Sequence, residues 1–124
     1  MQKAVLVAGG VLNGAFVAFH AGFWRLRKLN WRVELPRMNA ANRGAIQVMN
    51  IMLIYVFACF AGVSFVMAAT GAPQAMLNAF SIVIGGFYVV RAALQFVFFE
   101  TTPLGLAIVG VCVLAAASYF AAMM

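Results

Sequence analysis

Residues 25–43 read RLRKLNWRVELPRMNAANR. Six of the chain's eight basic residues lie in this stretch: Arg25, Arg27, Lys28, Arg32, Arg37 and Arg43. It separates two long apolar runs, so the charges act as a compass for a membrane protein. Cytoplasmic loops of polytopic membrane proteins carry an excess of Lys and Arg. The stretch is therefore expected on the cytoplasmic side, with both termini on the opposite side.

The rest of the chain supports that reading. Of 124 residues, 67% are hydrophobic and 8% are charged, with a formal net charge of +6. A soluble domain carries about 25% charged residues, so too little polar surface is present to wrap a water-soluble core. A basic balance can indicate nucleic acid. Here the basic residues flank apolar segments rather than lining a polar face, so anionic lipid headgroups are the expected partners and nucleic acid is not. Cys59 and Cys112 both fall inside apolar runs and read as small buried hydrophobes. Neither they nor the lone His20 have metal-ligand spacing.

Four segments are long enough to cross about 30 Å of hydrocarbon: residues 4–24, 44–69, 75–99 and 103–122. Backbone groups in lipid must be satisfied within the segment, which makes them helices. The first follows Lys3, and its apolar core is too long for a signal peptide. Thr70-Gly71-Ala72-Pro73 and Glu100-Thr101-Thr102-Pro103 are short turns, with Thr102 placed to cap the fourth helix and Pro103 at its first position. Links this short force antiparallel neighbours. The expectation is an all-α integral membrane protein, one up-down-up-down four-helix bundle over residues 1–124, in a bacterial inner membrane. Leu26, Leu29 and Val33 have helical spacing, so part of the long link is expected to lie in the headgroup layer. Gly10 and Gly14 form a G-x-x-x-G face for close helix approach.

Polar residues at membrane depth are costly and face protein or water. The strongest of them converge on the cytoplasmic half. Arg43, Gln47 and Asn50 form one stripe at i, i+4 and i+7. Tyr88, Arg91 and Gln95 form another at i, i+3 and i+7. Two stripes at similar depth either line a shared cleft or pair with one another to hold the bundle. Arg91 suits a carboxylate or phosphate; otherwise its stem lies along Phe87 and its head snorkels to the interface, with Glu100 as a distant acid. His20 reads as a hydrogen-bonded helix residue, a proton shuttle or a haem ligand. As the only histidine it could hold haem only with a partner from another subunit.

With these features in order, the chain resembles the MAPEG proteins, membrane-associated proteins of eicosanoid and glutathione metabolism. The resemblance rests on four membrane helices, one longer basic link, and the opening of the second helix. There the family has R-x-x-x-N-x-x-E; Arg43 matches, Gln47 stands at the Asn position and Asn50 at the Glu position. Arg91 is similar to an Arg of the family's third helix. Thr101-Thr102-Pro103-Leu104 lacks the basic residues the family carries near its fourth helix. The resemblance implies a homotrimer that binds glutathione near the cytoplasmic side. Arg43 and Arg91 would hold the anionic groups, Gln47 and Asn50 would hydrogen-bond the ligand's amide or carboxyl groups, and Tyr88 would be the candidate donor to a thiolate. Two other classes fit the residues: an oligomeric small transporter or channel with Arg91 and His20 on its path, and a non-catalytic subunit or anchor of a larger membrane complex.

Overall fold

The computed structural model describes residues 2–99 and 101–124. Among the described residues all regular structure is helical. Four long helices are α1 (Gln2–Ala21), α3 (Ala40–Thr70), α4 (Gln74–Phe98) and α5 (Pro103–Ala121), and the short helix α2 (Trp31–Arg37) lies in the basic link. All four long helices have the length and apolar composition to cross a membrane. These are the helices of an integral membrane protein.

The burial pattern differs from a soluble protein's: polar side chains share the interior with apolar ones, and many large apolar side chains lie outside. Asn13, Asn50, Ser64, Ser81 and Gln95 are buried, while Val48, Met52, Val66, Val90, Val97 and Leu114 are exposed. Water would select against that distribution, whereas a hydrocarbon solvent favours it, since polar groups must find protein partners and apolar side chains cost nothing at the surface.

Several boundaries differ from those expected. The first helix stops at Ala21 rather than at residue 24, and two 3₁₀ turns follow, Phe23–Arg25 and Arg27–Leu29. The second long helix begins at Ala40 rather than at residue 44. The cause is a cap: Asn39 Oδ1 accepts the Asn42 backbone N–H at 2.8 Å, which satisfies one of the donors that a helix start leaves over. At 31 residues, α3 is about 46 Å long. That exceeds the hydrocarbon thickness, so its polar first turns project beyond the span or the helix tilts. In the link, Asn30 adopts the left-handed conformation (φ 45°) and separates the 3₁₀ turns from α2. Pro36, without an N–H, comes just before α2 ends at Arg37.

The chain divides into two compact units. The first holds residues 1–10 and 62–124. Its core joins Leu6, Met67, Ala68, Leu77 and Ala122, with Val5, Val63, Ala72 and Phe80 packed against them. Small residues set the approach: a Cβ on Gly9 would fall 2.7 Å from Tyr119 Oη, and one on Gly85 would fall 2.8 Å from the Phe120 ring. The G-x-x-x-G expectation holds at one of its two positions. A Cβ at Gly10 would meet the Phe65 ring at 2.8 Å, but nothing lies within 4 Å of one at Gly14. Ser64 and Tyr119, both buried, share a hydroxyl–hydroxyl bond of 2.7 Å. At the end of α5, Gln2 Nε2 donates to the Ala122 carbonyl at 2.8 Å and Gln74 Nε2 to the Met123 carbonyl at 3.2 Å, so two side chains close carbonyls that a helix C-terminus leaves open. Thr102 caps α5 as expected, its Oγ1 accepting from the Gly105 N–H at 3.1 Å with Pro103 at the first position.

The second unit holds residues 11–61: the later part of α1, the link with α2, and the earlier part of α3. An aromatic seam runs through it. Phe16 stacks on Phe57 with centroids 5.0 Å apart. Farther along, Trp31 packs on Phe23 and on Trp24, each at 5.1 Å. The Trp31 indole N–H donates to the Phe23 carbonyl at 3.1 Å, tying α2 back to the turn after α1. Of the two cysteines, Cys112 is buried and Cys59 is exposed.

Candidate functional site

In the second unit, a two-bond polar contact joins His20 and Asn50. His20 Nδ1 and Asn50 Oδ1 are 2.9 Å apart, and Asn50 Nδ2 donates to the His20 carbonyl at 3.0 Å. His20 sits in the last turn of α1, where carbonyls run out of partners inside the helix. Asn50 therefore acts as a C-cap supplied from another helix. Aromatic rings enclose the imidazole: Phe57 stacks on it at 5.4 Å, Phe23 at 6.1 Å, and Phe19 meets it edge-on at 5.3 Å. Asn50 is 4% exposed. Its amide serves the fold, and any ligand at this point would have to share it with His20.

The polar stripe of α3 thus straddles the edge of the buried face. Asn50 points inward, whereas Arg43 and Gln47 are exposed. Gln47 lines an open surface groove of about 440 Å³ with Trp24, Trp31, Arg32, Leu35 and Ile51. All six residues belong to the second unit. Trp24, Trp31 and Arg32 were not among the sequence-derived candidates. The available signal was a pair of tryptophans bracketing a run of arginines, a combination suited to the headgroup layer.

The polar stripe of α4 lies in the first unit. Arg91 is half-buried, and both of its terminal nitrogens reach Gln95 Oε1 at 3.1 Å. Its guanidinium carbon lies 5.8 Å from the centroid of the Phe99 ring. The head therefore points toward the C-terminal end of α4. No carboxylate among the described residues pairs with it: Glu34, in the second unit, pairs with Arg37 at 3.8 Å and is exposed. Glu100, the acid nearest in sequence, lies outside the described residues. Gln95 is 7% exposed and Tyr88 is 1% exposed. A thiolate-stabilising donor must reach its substrate, and the Tyr88 hydroxyl is enclosed by protein.

The structure thus joins His20 to Asn50 and Arg91 to Gln95, and places the two pairs in different units. Arg43 and Gln47 share the unit of the first pair, and Tyr88 that of the second. Among the described residues no three of His, Cys, Asp and Glu gather to hold a metal ion.

No family model, curated protein or solved structure matches the chain.

Proposed function

We propose that this is a polytopic membrane protein that binds an anionic or amphipathic ligand in its cytoplasmic half, in the manner of the MAPEG proteins it resembles. The ligand is of the glutathione-like thiol or lipid class. The chain runs up-down-up-down in a bacterial inner membrane, with residues 25–43 in the cytoplasm and both termini opposite. It works as a homo-oligomer, a trimer on the MAPEG pattern.

The antiparallel course is supported by the core of the first unit. Leu6, Met67 and Leu77 belong to the start of α1, the end of α3 and the start of α4, and Ala122 is the residue just after α5. Those ends meet when consecutive long helices reverse direction. The cytoplasmic placement of the link is supported by its six basic residues against one acid, Glu34.

The observation that carries the ligand reading is Arg91. It lies seven residues before the end of α4, about 10 Å along the helix. Its charge rests on a neutral amide oxygen and a ring face, with no carboxylate partner among the described residues. A guanidinium in a low-dielectric setting gains most from a fork-shaped anion such as a carboxylate or phosphate. Binding is favoured over catalysis because Tyr88, the candidate donor, is enclosed.

A thermal-shift screen in mild detergent tests this. Glutathione and S-hexylglutathione should raise the melting temperature, because a ligand at 100 times its Kd adds about 2.7 kcal/mol to stability. The shift should disappear in Arg91→Gln. Absence of any shift with glutathione, its S-alkyl conjugates or anionic lipid overturns the reading.

A further inference from the structure

The groove of the second unit has a composition that its neighbours in the fold do not require. Its walls are two indoles and two aliphatic side chains, and its polar groups are one guanidinium and one amide. Trp31 cannot lend its N–H to a ligand without giving up the Phe23 carbonyl, so it serves as a fixed apolar wall. Trp24 stands against it at 5.1 Å, with the ring planes inclined at 61°. The nearest acid in sequence, Glu34, is engaged with Arg37, which leaves Arg32 as the charge on the lining.

Polarity changes along the groove. Gln47 and Ile51 are one turn apart on α3, with Ile51 farther from the capped start of that helix. The amide end is nearer the basic link and the aliphatic end is deeper in the apolar run. The volume of about 440 Å³ falls within the range of small-molecule sites. It is suited to a headgroup and the first part of its tail.

We infer that this groove, bounded by Trp24, Trp31, Arg32, Leu35, Gln47 and Ile51, is a binding site for an anionic phospholipid. Arg32 takes the phosphate, and Gln47 hydrogen-bonds the glycerol or ester oxygens. The indoles and Ile51 cover the start of the acyl chains. A free inorganic anion would leave the apolar walls uncovered, and a zwitterionic lipid would bring its own cation to a cationic site. Basic clusters beside membrane helices attract anionic headgroups in general. The groove adds to that general attraction an indole wall fixed by the Trp31 N–H bond and a change from amide to aliphatic lining along α3. The inference rests on the membrane reading above and is independent of Arg91.

The chain supplies its own probe, because its two tryptophans are both in the lining. The full chain is placed in phosphatidylcholine nanodiscs containing increasing fractions of phosphatidylglycerol brominated on its acyl chains. Tryptophan emission should be quenched with saturation at a low fraction of the brominated lipid. Brominated phosphatidylcholine should quench only in proportion to its amount. Arg32→Gln should raise the half-saturating fraction about tenfold, the usual scale for one charge-assisted hydrogen bond. Arg37→Gln removes the same charge outside the groove and should leave the value near that of the unaltered protein. Equal quenching by both brominated lipids overturns the inference, as do equal effects of Arg32→Gln and Arg37→Gln. Relief of quenching by inorganic phosphate or by glutathione also overturns it, because the site would then serve free anions. The Arg91 screen is kept apart from these outcomes by its variant: Arg91→Gln leaves the groove intact, so a melting-temperature shift by anionic lipid counts for Arg91 only where that variant removes it.

Discussion

Replacing Asn50 by alanine removes two hydrogen bonds with a single substitution. The side-chain oxygen loses His20 Nδ1 at 2.9 Å, and the side-chain nitrogen loses the His20 carbonyl at 3.0 Å. Hydrogen bonds between membrane helices average about 0.6 kcal/mol and reach about 1.7 kcal/mol. The carbonyl lies in the last turn of α1, and Asn50 is 4% exposed, so no water replaces the lost donor. Two such bonds give an expected loss of about 1–3 kcal/mol. His20→Ala removes the side-chain bond and the stack on Phe57 but keeps the carbonyl as an acceptor for Asn50. The two substitutions should therefore be coupled by about 0.6–1.7 kcal/mol, the share of the one bond they have in common. Reversible unfolding in mixed detergent and SDS micelles, followed by circular dichroism, measures each free energy. A double-mutant cycle then isolates the coupling. If the two losses add to within about 0.3 kcal/mol, the side-chain bond is not formed; if Asn50→Ala costs nothing in the His20→Ala background, where only the carbonyl bond remains, the C-cap account of Asn50 fails.

Other substitutions separate contacts that look alike in the sequence. Gly9→Ala puts a Cβ against Tyr119 Oη at 2.7 Å, while Gly14→Ala meets nothing within 4 Å; the first should destabilise by about 1–3 kcal/mol and the second should be neutral or stabilising in the same SDS assay. Tyr119→Phe removes the 2.7 Å bond to Ser64 and should cost about 1 kcal/mol. Asn39→Ala removes the cap on Asn42 and should cost about 1 kcal/mol, seen by hydrogen exchange as faster exchange confined to the first turn of α3.

The existence of the four long helices is legible in the sequence because hydrocarbon imposes one demand, about twenty apolar residues with internal hydrogen bonds. The turn at Thr102-Pro103 is legible for the same kind of reason, since a cap and a proline act locally. The start of α3 is less so. Asn42 and Arg43 look like link residues, and only the cap from Asn39 makes them helical. The end of α1 is misplaced because residues 22–24 remain apolar while the backbone tightens into a 3₁₀ turn. Single polar residues are legible, but their partners are not. His20 and Asn50 are thirty positions apart, and nothing in either neighbourhood selects the other. Helical spacing groups Arg43, Gln47 and Asn50 on one stripe, yet burial splits them, because a stripe of three residues is wide enough to cross the edge of a packed face. The Trp24–Trp31 groove depends on how α2 folds back onto the turn after α1, through the Trp31 indole. That is a tertiary contact with no periodic signature.

The ligand carried by the native protein tests the central claim most directly. The chain, extracted from its own membrane in mild detergent, is weighed intact by native mass spectrometry beside Arg91→Gln prepared in the same way. The account predicts an anionic adduct on the unaltered protein, identified after release as a thiol conjugate or anionic amphiphile, and its loss from Arg91→Gln. An unaltered protein that stays bare in the presence of saturating glutathione conjugates and anionic lipid, or one that carries no adduct beyond the phospholipid that Arg91→Gln also retains at the Arg32 groove, would contradict it.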